Sequence, residues 1–195
     1  LKTVAEAVTK GNRVADVGTD HGYVPIYLVK NNLSPAGIAM DVNKGPLEKA
    51  QEHIREEKIG GKIATRLGNG LAPLEPGETD TVIIAGMGGD LICKILKAKP
   101  EFLIEGKEFI LQPQSEWFKI RRLLKEYRYQ IEKEWFLKED GKYYVMSPSE
   151  ITDDLRNQAA DDYAKFMTAD SYKTYTKAYN VFILSLIHIS EPTRP

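Results

Sequence analysis

The chain is predicted to be an α/β protein on a mostly parallel sheet that ends in an antiparallel hairpin, and three observations carry that prediction. Short apolar strands alternate with longer amphipathic segments from Arg13 to about Glu126. A glycine turn, Gly18 to Gly22, joins the first strand to the first of these helices. After the fifth strand the alternation gives way to two consecutive strands joined by Lys138, Glu139, Asp140 and Gly141, whose Asp-Gly pair is a hairpin turn signal.

The spacing predicts strands over residues 13–17, 37–41, 63–67, 81–85 and 108–111, and helices over 23–32, 46–58, 90–97 and 116–127. In 46–58, Pro46 sits in the first turn, where its missing N–H costs nothing, and Leu47, Ala50 and Ile54 recur at helical spacing. The two closing strands are expected over 129–137 and 142–147, rich in aromatic and β-branched residues. Right-handed crossovers put the carboxyl ends of all parallel strands on one edge, so functional residues are expected there.

With 195 residues the chain can bury a substantial core. Its 27 Lys and Arg nearly balance 28 Asp and Glu, so a polyanion or membrane surface has no global field to follow and needs a local patch. The single cysteine, Cys93, lies in the apolar run LICKIL, reads as a small buried hydrophobe and cannot form an internal disulfide. That usage, without a signal peptide or a run of about 18 apolar residues, fits a reducing, cytoplasmic setting.

Along the expected edge, Asp16 and Gly18 end the first strand and Gly22 opens the helix, a turn that lets backbone N–H groups approach a ligand. Asp41 closes the second strand about 20 residues further on, where a carboxylate can accept from both hydroxyls of a ribose or simply cap its own turn. Asn69 sits between two glycines after the third strand and reads either as turn chemistry or as a neighbour of a planar ring. Gly86, Met87, Gly88 and Gly89 leave a bare rim after the fourth strand, which close approach of a ligand explains better than a turn alone. A nicotinamide oxidoreductase would share these features, but Asp20 and His21 separate Thr19 from Gly22 and break the GxGxxG spacing.

Taken together, VADVGTDHGYVPIYL (14–28), AGMGGDLICKIL (85–96), LQP (111–113) and EKEWFLKEDGKYY (132–144) resemble the bacterial tRNA adenine-N1 methyltransferases acting on position 22 of the D-arm, a Rossmann-like fold. The resemblance covers roughly residues 1–150 and implies S-adenosyl-L-methionine as cofactor, lying along Asp16, Gly18, Asp20 and Gly22, with Asp41 on the ribose and Asn69 facing the adenine. It further implies that Gly86, Met87 and Gly88 border the methyl donor and the target base. Asp20, His21 and Tyr23 are the catalytic candidates, for contact with the target base or management of its amino proton; His21 reads equally as a structural turn residue. The AsnPro motif usual in related enzymes is absent, which leaves backbone carbonyls near Gly86 or the Gln112 side chain to hold the base. Since the N1 of adenine brings its own lone pair, positioning contributes more than a strong base would, and access calls for flipping or opening of the pair.

Between Lys119 and Lys138, seven Lys and Arg outnumber three Glu, with aromatics interleaved, a local footprint that either holds tRNA phosphates or is merely solvated. The expected tRNA contacts are Lys119, Arg121, Arg122, Lys125 and Arg128. Residues 151–184 are read as an acidic helical extension, and 185–195, SLIHISEPTRP, as a non-native tail resembling a translated sequencing adaptor, so both ends are expected to be truncated. The rival readings are a methyltransferase acting on another RNA, a small molecule or a protein, and a nonenzymatic tRNA-binding module.

Overall fold

The computed structural model describes residues 2–104, 107–135 and 183–188. Five strands run parallel: β1 (Val14–Val17), β2 (Gly37–Asp41), β3 (Ile63–Leu67), β4 (Thr81–Gly88) and β5 (Glu108–Ser115). Two more, β6 (Tyr129–Trp135) and β7 (Ile183–His188), complete a seven-stranded sheet of order β3-β2-β1-β4-β5-β7-β6, with β7 antiparallel to both its neighbours. The helices are α1 (Lys2–Glu6), α2 (Tyr23–Lys30), α3 (Lys44–Glu56), α4 (Gly89–Ala98), α5 (Pro100–Ile104) and α6 (Trp117–Glu126).

Strand alternation sorts the side chains into two cores. Ala15, Val17, Val82, Ile84, Phe109 and Leu111 face Ile92, Leu96, Phe102, Ile120 and Leu124 of α4, α5 and α6. On the opposite face Val14, Ile83 and Ile110 meet Val4, Val24 and Leu28 of α1 and α2, while Ala39 and Ile63 meet Ile26 and Ile54 of α2 and α3. The sheet is thus covered on both faces, and function is confined to its edges.

The amino edge is tied off by polar side chains that satisfy one another. Buried Glu108 accepts from Thr9, Asn12 and Thr81, and Arg13 donates to both oxygens of Asp80. The side-chain pair of Arg66 and Glu78 is likewise bidentate, at 2.6 and 2.7 Å.

Each parallel strand and each long helix falls where the spacing predicts, with boundary shifts of one or two residues for most. β4 and β5 run further than expected, to Gly88 and Ser115, because register shifts at Ala85/Met87 and Met87/Gly88 let the glycine rim continue pairing. The five-residue helices α1 and α5 are too short to show a period in the sequence. The predicted strand over 142–147 lies outside the described residues, as does most of the expected helical extension. Ile183–His188, expected to straddle the end of that helix and the start of the tail, instead forms β7. Ile183, Leu184, Leu186 and Ile187 supply the strand-forming residues, and they cover the otherwise open edge of β5. Among the described residues, no helix is long and apolar enough to cross a membrane.

Candidate active site

The carboxyl edge of β1 opens into a turn whose backbone is held in left-handed conformations at Gly18 (φ 73°), His21 (φ 56°) and Gly22 (φ 73°). Gly18 is favoured by its φ, and a Cβ there would also make the terminal methyl of Met87 shift. At Gly22 a Cβ would lie 3.1 Å from that of Ala50, so this glycine lets α2 seat against α3. The N–H groups of Gly18 and Thr19 both donate to the Met40 carbonyl at 2.8 Å, which fastens the turn to β2. Those two donors are spent internally. The N–H groups of Asp20, His21 and Gly22 have no partner among the described residues and are the ones a ligand can use.

Asp16 is buried beneath this turn and accepts from the Thr19 hydroxyl at 2.6 Å. Burial pushes its carboxyl up to about 6; the Thr19 bond opposes the shift, and the negative charges of Asp20 and Asp41 add to it. Asp41, at the end of β2, accepts from the Asn43 N–H at 2.6 Å through Oδ1, and its Oδ2 has no hydrogen bond among the described residues. Three carboxylates therefore converge on one turn, an acidic wall suited to a cationic ligand.

His21 and Tyr23 belong to a ring cluster completed by His53 of α3. Tyr23 stacks on His53 with centroids 5.3 Å apart, and His21 lies 5.6 Å from Tyr23 and 6.0 Å from His53. His53 Nδ1 is 3.0 Å from the His21 carbonyl; since a carbonyl only accepts, Nδ1 carries the proton and pins the strained residue. The His21 Nε2 is 3.4 Å from Asp20. Asp20, His21 and Tyr23 are thus brought together, with Tyr23 43% exposed and open to a partner. The role of His53 is not evident from the apolar spacing of its helix. Its position one residue before Ile54, on the sheet-facing side, is the only signal the sequence carries.

Asn69 is exposed at the rim and its carbonyl opens a turn by accepting from the Ala72 N–H at 3.1 Å. Gly86 is left-handed at φ 78°, and its N–H donates to Gln112 Oε1 at 2.7 Å. Gly88 caps α4, and half-buried Met87 reaches back over Gly18. Of the basic residues expected to meet phosphate, Lys119 is already paired with Asp90 at 2.8 Å and Glu116 at 2.6 Å. Arg121 lies over the Trp117 ring at 5.7 Å, and Arg122, Lys125 and Arg128 are exposed. Cys93 is half-buried on α4, where burial pushes its thiol up and away from reactivity.

A five-stranded parallel core with its glycine turn, an acidic residue at the end of β2 and a bare β4 rim on one edge defines a Rossmann-like α/β protein of the class that binds nucleotide-like cofactors. Residues 1–147 match the methyltransferase domain family, and the chain belongs to that family. It is 39% identical over 153 residues to the tRNA (adenine(22)-N(1))-methyltransferase of Bacillus subtilis, covering 78% of this chain and 64% of that protein. The chain therefore spans a little under two thirds of that relative's length. The crystal structure of the Bacillus subtilis tRNA methyltransferase TrmK superposes with a TM-score of 0.74 at 29% identity, over 97% of this chain and 65% of that one. Streptococcus pneumoniae Sp1610 in complex with S-adenosyl-L-methionine is similar at a TM-score of 0.70 and 29% identity, over 90% of this chain and 92% of that one.

Proposed function

We propose that this chain is the catalytic domain of a cytoplasmic S-adenosylmethionine-dependent methyltransferase that methylates N1 of the adenine at position 22 in the tRNA D-arm. The observation that carries this reading is its 39% identity to a protein of that activity, joined to a carboxyl edge that keeps an acidic turn beside a glycine rim. The catalytic unit is residues 1–150 together with β7, which joins β6 to β5. The site's chemistry fits the cofactor: a sulfonium and an ammonium carry positive charge toward Asp16, Asp20 and Asp41, and the open oxygen of Asp41 suits a ribose hydroxyl.

S-adenosylmethionine supplies a methyl already activated on sulfur; the adenine N1 lone pair forms the new bond, and the electron pair of the broken bond stays on sulfur. The protein's own share is to position and to exclude water. The free N–H groups of Asp20, His21 and Gly22 orient the amino-acid end, and the bare rim at Gly86 and Gly88 admits a base to the methyl without obstruction. Exposed Tyr23, braced by His53, stacks on the incoming adenine. The exposed face of α6 and the turn after it receive the phosphates, with Arg121, Arg122, Lys125 and Arg128 as the contacts; Lys119, held by Asp90 and Glu116, acts instead as a strut between α4 and α6.

The deciding experiment is transfer of labelled methyl to unmodified tRNA transcripts bearing adenosine or guanosine at position 22. Label on the adenosine transcript alone is the expected result. Equal label on both rejects the site, and label on neither with cofactor bound points to another substrate.

A further inference from the structure

Gln112 stands in the carboxyl half of β5, level with Ala85 of β4. It is 5% exposed, and by strand alternation its side chain leaves the sheet on the same face as Ile110, the face that α1 and α2 cover. Its Oε1 accepts from the Gly86 N–H at 2.7 Å. Because that N–H can only donate, the orientation of the amide is fixed: oxygen toward β4, nitrogen away from it. Gln112 Nε2 is fully buried and has no hydrogen-bond partner among the described residues.

Among the described residues, the other buried polar side chains of the parallel core and its turns, Asp16, Thr19, Ser34, Thr79, Thr81 and Glu108, have partners. Asp16 and Thr19 bond to each other, Ser34 and Thr79 each donate to a backbone carbonyl, and Thr81 and Glu108 pair. The unmet donor of Gln112 lies at the functional edge, beside the rim that borders the methyl. Buried donors are almost always paired, so one left open beside a site points to a ligand atom that completes it.

The order of strands says which ligand. With Asp41 on β2, the glycine turn on β1 and the rim on β4 assigned to the cofactor, β5 lies on the far side of the methyl, where the target enters. Resting on the proposed reaction, we infer that Gln112 holds the target adenine by donating from Nε2 to a ring nitrogen, while its Oε1 keeps Gly86 left-handed. N1 is consumed by the methyl, which leaves N7 and N3 as the acceptors of the base. The amide is sealed in the free protein, so the base reaches it by displacing the side chains over the end of β5.

The test compares wild type, Gln112→Glu and Gln112→Met on transcripts carrying adenosine, 7-deazaadenosine or 3-deazaadenosine at position 22. Gln112→Glu keeps an oxygen for the Gly86 N–H and loses the donor, whereas Gln112→Met loses both and serves as the check if the new carboxyl takes up a proton. On adenosine both variants are expected to lose about 10- to 100-fold in kcat/KM, with S-adenosylhomocysteine binding unchanged for Gln112→Glu. One of the two deaza transcripts is expected to cost the wild type the same factor and to cost the variants nothing further. Wild-type turnover by both variants overturns the assignment. So does a loss that adds fully to both deaza losses, or a loss of cofactor binding by Gln112→Glu. A wild type that methylates no tRNA sinks the proposed reaction itself, an outcome distinct from any of these.

Discussion

Asp16 sets the electrostatics of the turn, because its carboxyl, pushed up to about 6 by burial, is ionised at neutral pH but not in mild acid. Affinity for S-adenosylmethionine is therefore expected to fall as pH drops from 7.5 through 6. That for the sulfur-neutral S-adenosylhomocysteine should fall less, and Asp16→Asn should flatten the difference; calorimetric titration of both ligands over pH 5–8 checks this. The linked effect on stability has the opposite sense. A carboxyl whose folded value lies above its unfolded one, about 3.9, contributes stability fully present below pH 4 and lost as pH rises through 6. Asp16→Asn should thus raise stability at pH 7.5, by up to about 3 kcal/mol, and leave it unchanged at pH 4, as read from thermal unfolding. His53 is the second residue with a separable effect. His53→Ala removes the donor to the left-handed His21 and the ring beneath Tyr23, and is expected to cost about 1–2 kcal/mol of stability and several-fold in tRNA KM. Unchanged melting and unchanged KM would show that the turn holds His21 without it.

Among the elements, α4 depends most closely on a single backbone position. A Cβ at Gly89 would lie 2.6 Å from the Ser115 carbonyl oxygen and 2.7 Å from that of Glu116, both backbone atoms that cannot yield like a flexible side chain. Gly89→Ala is expected to destabilise the fold by about 2 kcal/mol and to spread α4 from the start of α6, which lowers the unfolding midpoint and weakens cofactor binding together. Gly45, whose Cβ would meet nothing within 4 Å, is the matched control, and Gly45→Ala should be near neutral. The same glycines show what the sequence discloses. Strand and helix periods locate the parallel core, and Gly18 and Asp41 fall at strand ends as the spacing predicts, with Gly86 within the last residues of β4. Contacts between elements distant in sequence are not legible: His53 lies 32 residues from His21, and Gln112 lies 26 from Gly86. Nor does local pattern say that Lys119, one of a run of basic residues, is held by Asp90 on another helix. β7 shows the limit from the other side, since it includes residues set aside for their resemblance to a translated sequencing adaptor and pairs antiparallel with β5.

Over the whole molecule the charges nearly cancel, at −1, yet they are not mixed evenly. The glycine turn after β1 is acidic, while α6 turns Arg122 and Lys125 outward beside Phe118, which is 60% exposed, and Trp117 with Arg121 against it. A polyanion would be repelled by the first surface and attracted by the second, so on the proposed reading RNA is expected to lie along α6 with one base directed to the edge. Stacking on Phe118 and Trp117 adds a contribution that salt does not screen. Affinity for tRNA should accordingly fall steeply as salt rises from 50 to 300 mM. The double reversal Arg122→Glu with Lys125→Glu should weaken binding about 10- to 100-fold at 100 mM salt. It should also flatten the log–log salt slope by about 1.4 to 1.8, since each phosphate contact contributes about 0.7 to 0.9. Phe118→Ala should lower affinity without changing that slope. Fluorescence anisotropy with labelled tRNA over a salt series separates the two effects. A reversal variant with the wild-type slope would move the RNA to another face and leave α6 a solvated helix, whereas S-adenosylhomocysteine affinity should be the same in all of these proteins because the acidic turn is untouched.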